Sequence, residues 1–344
     1  MNGAMVLSGG WRSGRAAALA LMLAAPAPAL AEAAPICEGH DLGERVAAFP
    51  QALKSAEAAR RDWLVNGQGL LWRIDKPGVA PSYLFGTIHA TDDRAIALAR
   101  EAATHIRGAK VVATELGGPL DKAMVAEIGA NLMVKAVARD VDTFGPIASP
   151  EDRATVEKFL AERGINAALA HHLKLWFLAA ATVEPPCEIQ RQSMDMPVVD
   201  NLIAETAKDL GVKVAAIETM EEQSEILSSL DSSLAATLLV SAATKPALND
   251  DVYATLLSFY AQKRPVETLP VIDASGVLTK KEVEAEDEFS VHLLGERNGL
   301  MAERIQPMID AGGAFIAVGA LHLSGKGGLV ALLRERGLTL TPLW

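Results

Sequence analysis

Cysteine is nearly absent from this chain: Cys37 and Cys187 are the only two, and no Cys-x-x-Cys zinc knuckle can be drawn from them. No apolar run reaches 18 residues, so no permanent transmembrane helix is expected. There is no His-Glu-x-x-His pair, no Gly-x-Ser-x-Gly elbow and no phosphate loop. The helix-borne zinc site, the serine-hydrolase elbow and the Walker-type nucleotide cradle are thereby excluded. Positive charge is in deficit, with 32 Lys and Arg against 43 Asp and Glu, which argues against a nucleic-acid or anionic-membrane surface. Aromatic residues are few, at 5%. What is present, half of it hydrophobic with 27 Gly and 17 Pro, is an ordinary globular profile able to bury a large core. Neither a short-period repeat nor a compositional domain boundary is visible.

The N-terminus reads as an export signal over residues 1–31, followed by a single domain over 32–344. Arg12 and Arg15 precede the apolar run Ala16 to Ala25, and Ala29-Leu30-Ala31 offers a cleavage site. Such a run suits a signal-peptide core and is too short to span a bilayer. Its removal takes away two Arg and no acid, leaving the mature chain more acidic still. A periplasmic or secreted location is expected. There, an even pair of cysteines favours one disulfide, with two unpaired thiols as the alternative. Ala34-Pro35-Ile36 before Cys37 is no convincing lipobox.

Two copies of one pattern organise the rest. Tyr83 to His89 (YLFGTIH) and Phe315 to His322 (FIAVGALH) are short apolar runs, readable as buried strands, each ending in Gly-x-x-His. Glycine permits a turn or a close backbone approach, and residues just past strand ends are where open α/β sheets place their chemistry. If both strands share a sheet, the two histidines meet.

Between them the chain alternates. Gly69 to Ile74 and the Gly86 strand, joined by Asp75-Lys76-Pro77-Gly78, suggest a hairpin. Lys110 to Glu115 is a β-branched run ending on a carboxylate. Residues 120–250 look like a helix-rich insertion, with Ser149-Pro150-Glu151-Asp152 a strong helix start. His171 and His172, about 100° apart on a helix, read as one partly buried and one surface residue. Val199 to Leu210, Gly211 and Val212 to Ile217 give a helix–Gly–strand order, hence a parallel pairing, again ending on a carboxylate, Glu218. Helical periodicity runs from Glu221 to Ala243 and again from Lys280 to Gln306. The fold class is α/β, a mixed central β-sheet flanked by helices.

Four strands thus end on His89, Glu115, Glu218 and His322. Two imidazoles and a carboxylate are the ligand set of a divalent-metal hydrolase. The metal would acidify a bound water and polarise a carbonyl, with the second carboxylate as general base. Arg297, beside Asn298 on a helix read as facing the sheet, could stabilise an oxyanion or grip a substrate carboxylate. The glycines from Gly325 to Gly328 could bind an anion, or simply let the chain turn beside His322.

Five stretches, LLWRIDKPGVAPSYLFGTIHA, TEL, KVAAIETMEEQ, ERN and FIAVGALHLSGKGGLVALLRERG, resemble the TraB/GumN family, which includes the Tiki metal-dependent proteases. The resemblance runs from about Leu70 to the C-terminus. It implies a fold related to the erythromycin-esterase and ChaN-like proteins. It also implies metal-binding or catalytic roles for His89 and His322, with Glu115 and Arg297 completing the constellation. Glu218 and Gln223 match a further block. A Gly-x-Asp block is represented by Ser193-Met194-Asp195, with Ser193 where glycine is expected. Two functions follow. One is an exported metal-dependent hydrolase, a peptidase using Mn²⁺, Co²⁺ or Zn²⁺ on a peptide or small-molecule substrate. The other is a periplasmic protein that sequesters a peptide or haem-like ligand without turnover.

Overall fold

Six strands form one mixed sheet in the order β4-β3-β5-β2-β1-β6. They are β1 (Leu71–Asp75), β2 (Ser82–Thr87), β3 (Val111–Thr114), β4 (Lys213–Ala216), β5 (Ala314–Gly319) and β6 (Thr339–Pro342). The computed structural model describes residues 33–344 apart from 121 and 140, so the expected signal segment 1–31 lies outside the described residues. Residues 34–344 form one compact unit.

β4, β3, β5 and β2 run parallel, while β1 pairs antiparallel with both β2 and β6. The hairpin and the parallel pairing of β3 with β4 are as the sequence predicts. From the helix-rich middle, β4 joins the sheet as one of its edges.

Alternation within each strand divides the core. Trp72, Ile74, Leu84, Ala113, Ile316 and Val318 pack on one face, against Met301, Ile305 and Ile309 of the Lys280–Ala311 helix and Leu329 and Leu333 of the Leu329–Glu335 helix. Leu71, Phe85, Val112, Phe315 and Ala317 pack on the other, against the Asp93–Ala103 and Val199–Asp209 helices. Covering both faces is what makes these strands read as continuous apolar runs. A separate helical core around Phe144, Leu160, Trp176 and Leu239 fills the middle of the chain.

The single periodic stretch expected over Glu221 to Ala243 is two helices, Met220–Ser228 and Ser232–Thr244, bent by 86°. The break has a local cause. The Asp231 carboxylate accepts from the amides of Ser233 and Leu234 and starts a new helix. Among the described residues no single helix is long and apolar enough to cross a membrane, although this bent pair passes by length and composition taken together. Cys37 and Cys187 are joined in a disulfide.

Candidate active site

The register of the parallel strands places the four strand-end residues on one edge. Thr87 lies opposite Gly319, and Thr114 lies beside Ala317 and Ala216. His89, Glu115, Glu218 and His322 each follow one of these strands by three residues or fewer. The glycine of the first motif is required by the second: a Cβ on Gly86 would stand 2.9 Å from Ala320 Cα, in the turn that carries His322. Gly319 has its own constraint. Its N–H donates to Glu115 Oε1 at 2.8 Å, and a Cβ would face that oxygen at 3.3 Å.

His322 is buried, 3% exposed. Its tautomer follows from a chain of donors. Gly327 C=O can only accept, so Asn298 turns its Nδ2 to it at 2.9 Å and its Oδ1 to His322 Nδ1 at 2.5 Å. Nδ1 therefore carries the proton, and Nε2 is left as a bare lone pair. Burial lowers the ring's pKa to about 4; Glu115 works against this shift and Arg297 adds to it. The imidazole is neutral.

That lone pair faces a carboxylate, with Nε2 lying 3.9 Å from Glu115 Oε1. Burial pushes the Glu115 pKa up, but Arg297, His89 and the Gly319 amide, joined by His322 only when that ring is protonated, pull it below the ordinary carboxylate value. Its other oxygen accepts from Arg297 Nη2 at 2.9 Å and Gln223 Nε2 at 3.1 Å. Arg297 also forks onto Glu218, Nε to Oε1 at 2.9 Å and Nη2 to Oε2 at 2.6 Å. Gln223 bridges to Glu218 Oε2 at 3.1 Å. One guanidinium thus holds two buried carboxylates, a bidentate geometry that lysine could not reproduce. Burial alone would lower the Arg297 pKa; Glu218 and Glu115 raise it beyond its usual value.

His89 stands differently. Its side chain is 69% exposed, and Nδ1 lies 2.9 Å from Asp200 Oδ2. The Asp200 carboxylate raises the ring's pKa, against the effect of desolvation and with help from Glu115 and Glu184. Asp200 is itself held below its ordinary value: burial raises it, and His89 and the Thr87 hydroxyl, donating at 2.6 Å, outweigh that. The contact is a charge contact by distance: Asp200 Oδ2 receives no aligned hydrogen bond, so it leaves either ring nitrogen of His89 able to carry the proton.

The fit to a divalent cation can be judged from these contacts. Metal-bound histidines characteristically give their second ring nitrogen to a carboxylate or carbonyl oxygen, as His322 does to Asn298 Oδ1; His89 has Asp200 beside its Nδ1 by distance alone. A bare nitrogen and an ionised oxygen facing each other at 3.9 Å suit a positive ion. The donor chemistry of His89, His322 and Glu115 therefore fits. The three do not close around one point: among the described residues, no group of three or more His, Cys, Asp or Glu is gathered to hold a metal ion.

The sequence profile of the TraB/PrgY/gumN family matches residues 70–342. The chain belongs to the TraB/PrgY/gumN family. No curated protein and no solved structure matches it. Within this family member, Gln223 joins the cluster through Glu115 and Glu218, whereas Asp195 is exposed and paired with Lys122 at 2.8 Å. The carboxylate that reaches the first histidine is Asp200. In sequence it is an acid in the first turn of a helix, which reads as a partner for the helix N-terminus; nothing local marks its contact with Thr87 and His89. His171 lies apart from these residues, between Asp142 and Glu157 and stacked on Phe144, while His172 is exposed. The Gly325 to Gly328 segment is a turn. Gly325 N–H goes to Val65 C=O, Lys326 N–H to Asp62 C=O and Gly328 N–H to Gly325 C=O.

Proposed function

We propose that this chain is an exported hydrolase of peptide bonds, dependent on a divalent cation and sharing its fold and reaction with the Tiki-like proteases of its family. The observation that carries the reading is the confrontation of Glu115 Oε1 with the bare Nε2 of neutral His322, at the edge where four parallel strands end. His322 and His89 would hold the ion beside Glu115 Oε1; it could be Mn²⁺, Co²⁺ or Zn²⁺. When bound it supplies Lewis acidity to the scissile carbonyl and to the attacking water.

The remaining steps belong to the protein's own groups. Glu115, kept ionised by Arg297 and the Gly319 amide, offers Oε1 to the proton of the attacking water. Arg297, its side chain only 12% exposed, acts by fixing that carboxylate and not by gripping a substrate. Glu218 has both oxygens on Arg297; its role is to hold the guanidinium in place, not to take a proton. His89, open to water, lies on the side from which a peptide would enter. Export is supported by the Cys37–Cys187 bond, since such bonds persist in oxidising compartments.

The test is metal analysis and peptide-library cleavage on protein purified without a histidine tag. Metal-dependent cutting is expected, lost on chelation and reduced by about 10² or more in Glu115→Gln, the range for removing one positioned acid–base group. Equal metal content in the wild type and the His89→Ala/His322→Ala double variant would defeat the assignment. Peptide binding without cleavage would establish the sequestering function instead.

A further inference from the structure

We infer that Glu188 and Arg191 are positioning residues for His89, and that the Cys37–Cys187 disulfide anchors them, so that the placement of His89 answers to dithiol reductants. The link to function rests on the reading that His89 belongs to the working site; the mechanical link does not.

The contact point is Thr91, two residues beyond His89 and itself 1% exposed. Its N–H donates to Glu188 Oε1 at 2.8 Å and its hydroxyl to Glu188 Oε2 at 3.0 Å. Arg191 closes the grip, Nε donating to Thr91 Oγ1 at 2.7 Å and Nη2 to Thr91 C=O at 3.1 Å. Every polar atom of this one residue is therefore held by a single helix, Pro186–Ser193. Glu188, 1% exposed, also accepts from Tyr253 OH at 2.6 Å.

That helix has a second attachment. Cys187 lies in its first turn, and its partner Cys37 sits on a segment that has neither helix nor strand. The same segment gives its Pro35 carbonyl to Arg191 Nη1 at 3.2 Å and is pinned farther along by His40 N–H to Asp251 Oδ1 at 2.8 Å. Both cysteines are partly exposed. Cys37 lines a cavity of about 540 Å³ together with Asp92, Glu188, Arg191 and Tyr253, so a small dithiol has a route to the bond.

The redox step balances as thiol–disulfide exchange. A thiolate of the dithiol attacks one sulfur and forms a mixed disulfide, its second thiol displaces the protein, and two protein thiols and one cyclic disulfide result, with two electrons and two protons transferred. The segment carrying Cys37 then keeps only its hydrogen bonds, and the helix gripping Thr91 loses its covalent anchor.

The test reads exchange and resonances on the intact oxidised protein before and after dithiothreitol, with no need for turnover, so a failed hydrolysis assay leaves it unaffected. Expected on reduction is amide exchange at Thr91 at least tenfold faster, with β5 amides unchanged and the His89 ring resonances broadened. Thr91 exchange and His89 resonances identical in the two redox states would overturn the inference. Should reduction loosen β5 as well, the oxidised Arg191→Ala variant decides. Faster exchange at Thr91 with a protected β5 supports the grip; wild-type exchange at Thr91 overturns it. Rescue separates positioning from general structure: Thr91→Ser is expected to keep the wild-type His89 resonances, and Thr91→Val to broaden them.

Discussion

The two Gly-x-x-His motifs lie on adjacent parallel strands, their glycines one residue out of register, with Gly86 opposite Val318 and Thr87 opposite Gly319, yet their histidines end in opposite states. His322 is sealed, neutral and tied to an amide oxygen. His89 is open to solvent and tied to a carboxylate that favours its protonated form. The motif sets where an imidazole stands. Residues distant in sequence set what it is: Asn298 and Glu115 for one ring, Asp200 for the other. Such asymmetry is useful in a hydrolytic site, which needs a fixed basic interior and an accessible mouth.

The comparison is most severely tested at Arg297, which supports only the sealed half. Arg297→Met would leave Glu115 and Glu218 buried without their common cation. Breaking a buried ion pair by deleting one partner costs about 3–5 kcal/mol, and urea unfolding should show a loss of that size. Adding Glu218→Gln should recover part of it, because the worst-placed charge is then removed. A loss under about 1 kcal/mol would mean that the cluster contributes no more than a surface pair, and the sealed half would not be distinct from the open one.

A smaller effect, opposite in sign for the two rings, is expected in the metal-free protein as pH changes. The folded His322 ring has a pKa of about 4 against an ordinary 6.5. Between those values the unfolded chain binds a proton that the folded one refuses. Stability should therefore fall as pH drops through that window, by on the order of 3 kcal/mol. For His89 the folded value is raised, to about 10. Its contribution is complete below about 6.5 and is lost as pH rises above that value, with a smaller total than the His322 limb because water screens the exposed ring and shrinks the shift. Stability measured against pH in His322→Gln and His89→Gln should flatten the acid limb and the alkaline limb respectively.

This division between motif and environment also explains what the sequence disclosed. The sheet was legible because both its faces are covered, so Tyr83 to Phe85 and Phe315 to Val318 are apolar without interruption and Leu70 to Ile74 is broken only by Arg73. Glu115 and Glu218 were legible because each directly follows such a run. Arg297 was found through its neighbour Asn298, but that Asn298 fixes the His322 tautomer depends on Gly327 C=O, a tertiary contact with no local sign. Asp200 was hidden for the same reason, and Asp195, the expected acid of its block, is spent on Lys122 at the surface. The bend at Asp231 escapes the sequence pattern because Ser228-Ser229 and Ser232-Ser233 keep the helical period on either side of the cap. Local pattern reveals where strands end, whereas convergence across the sheet edge requires the fold.

The smallest expected change in stability, and the sharpest contrast with Arg297, is at His89. His89→Gln keeps a donor that can reach Asp200 and removes a ring that is mostly in water, so the cost should stay within about 1 kcal/mol. Asp200 retains the Thr87 hydroxyl in any case. Hydrolysis, by contrast, should fall by about 10² or more, since glutamine offers neither a ligand nitrogen nor a titratable proton at the position of Nε2. Urea unfolding and peptide cleavage on the same preparation separate the two effects. A variant that unfolds early and cleaves at the normal rate would reverse the roles argued for the two histidines: the open ring would be a structural cation, and the chemistry would lie with His322 and Glu115 alone.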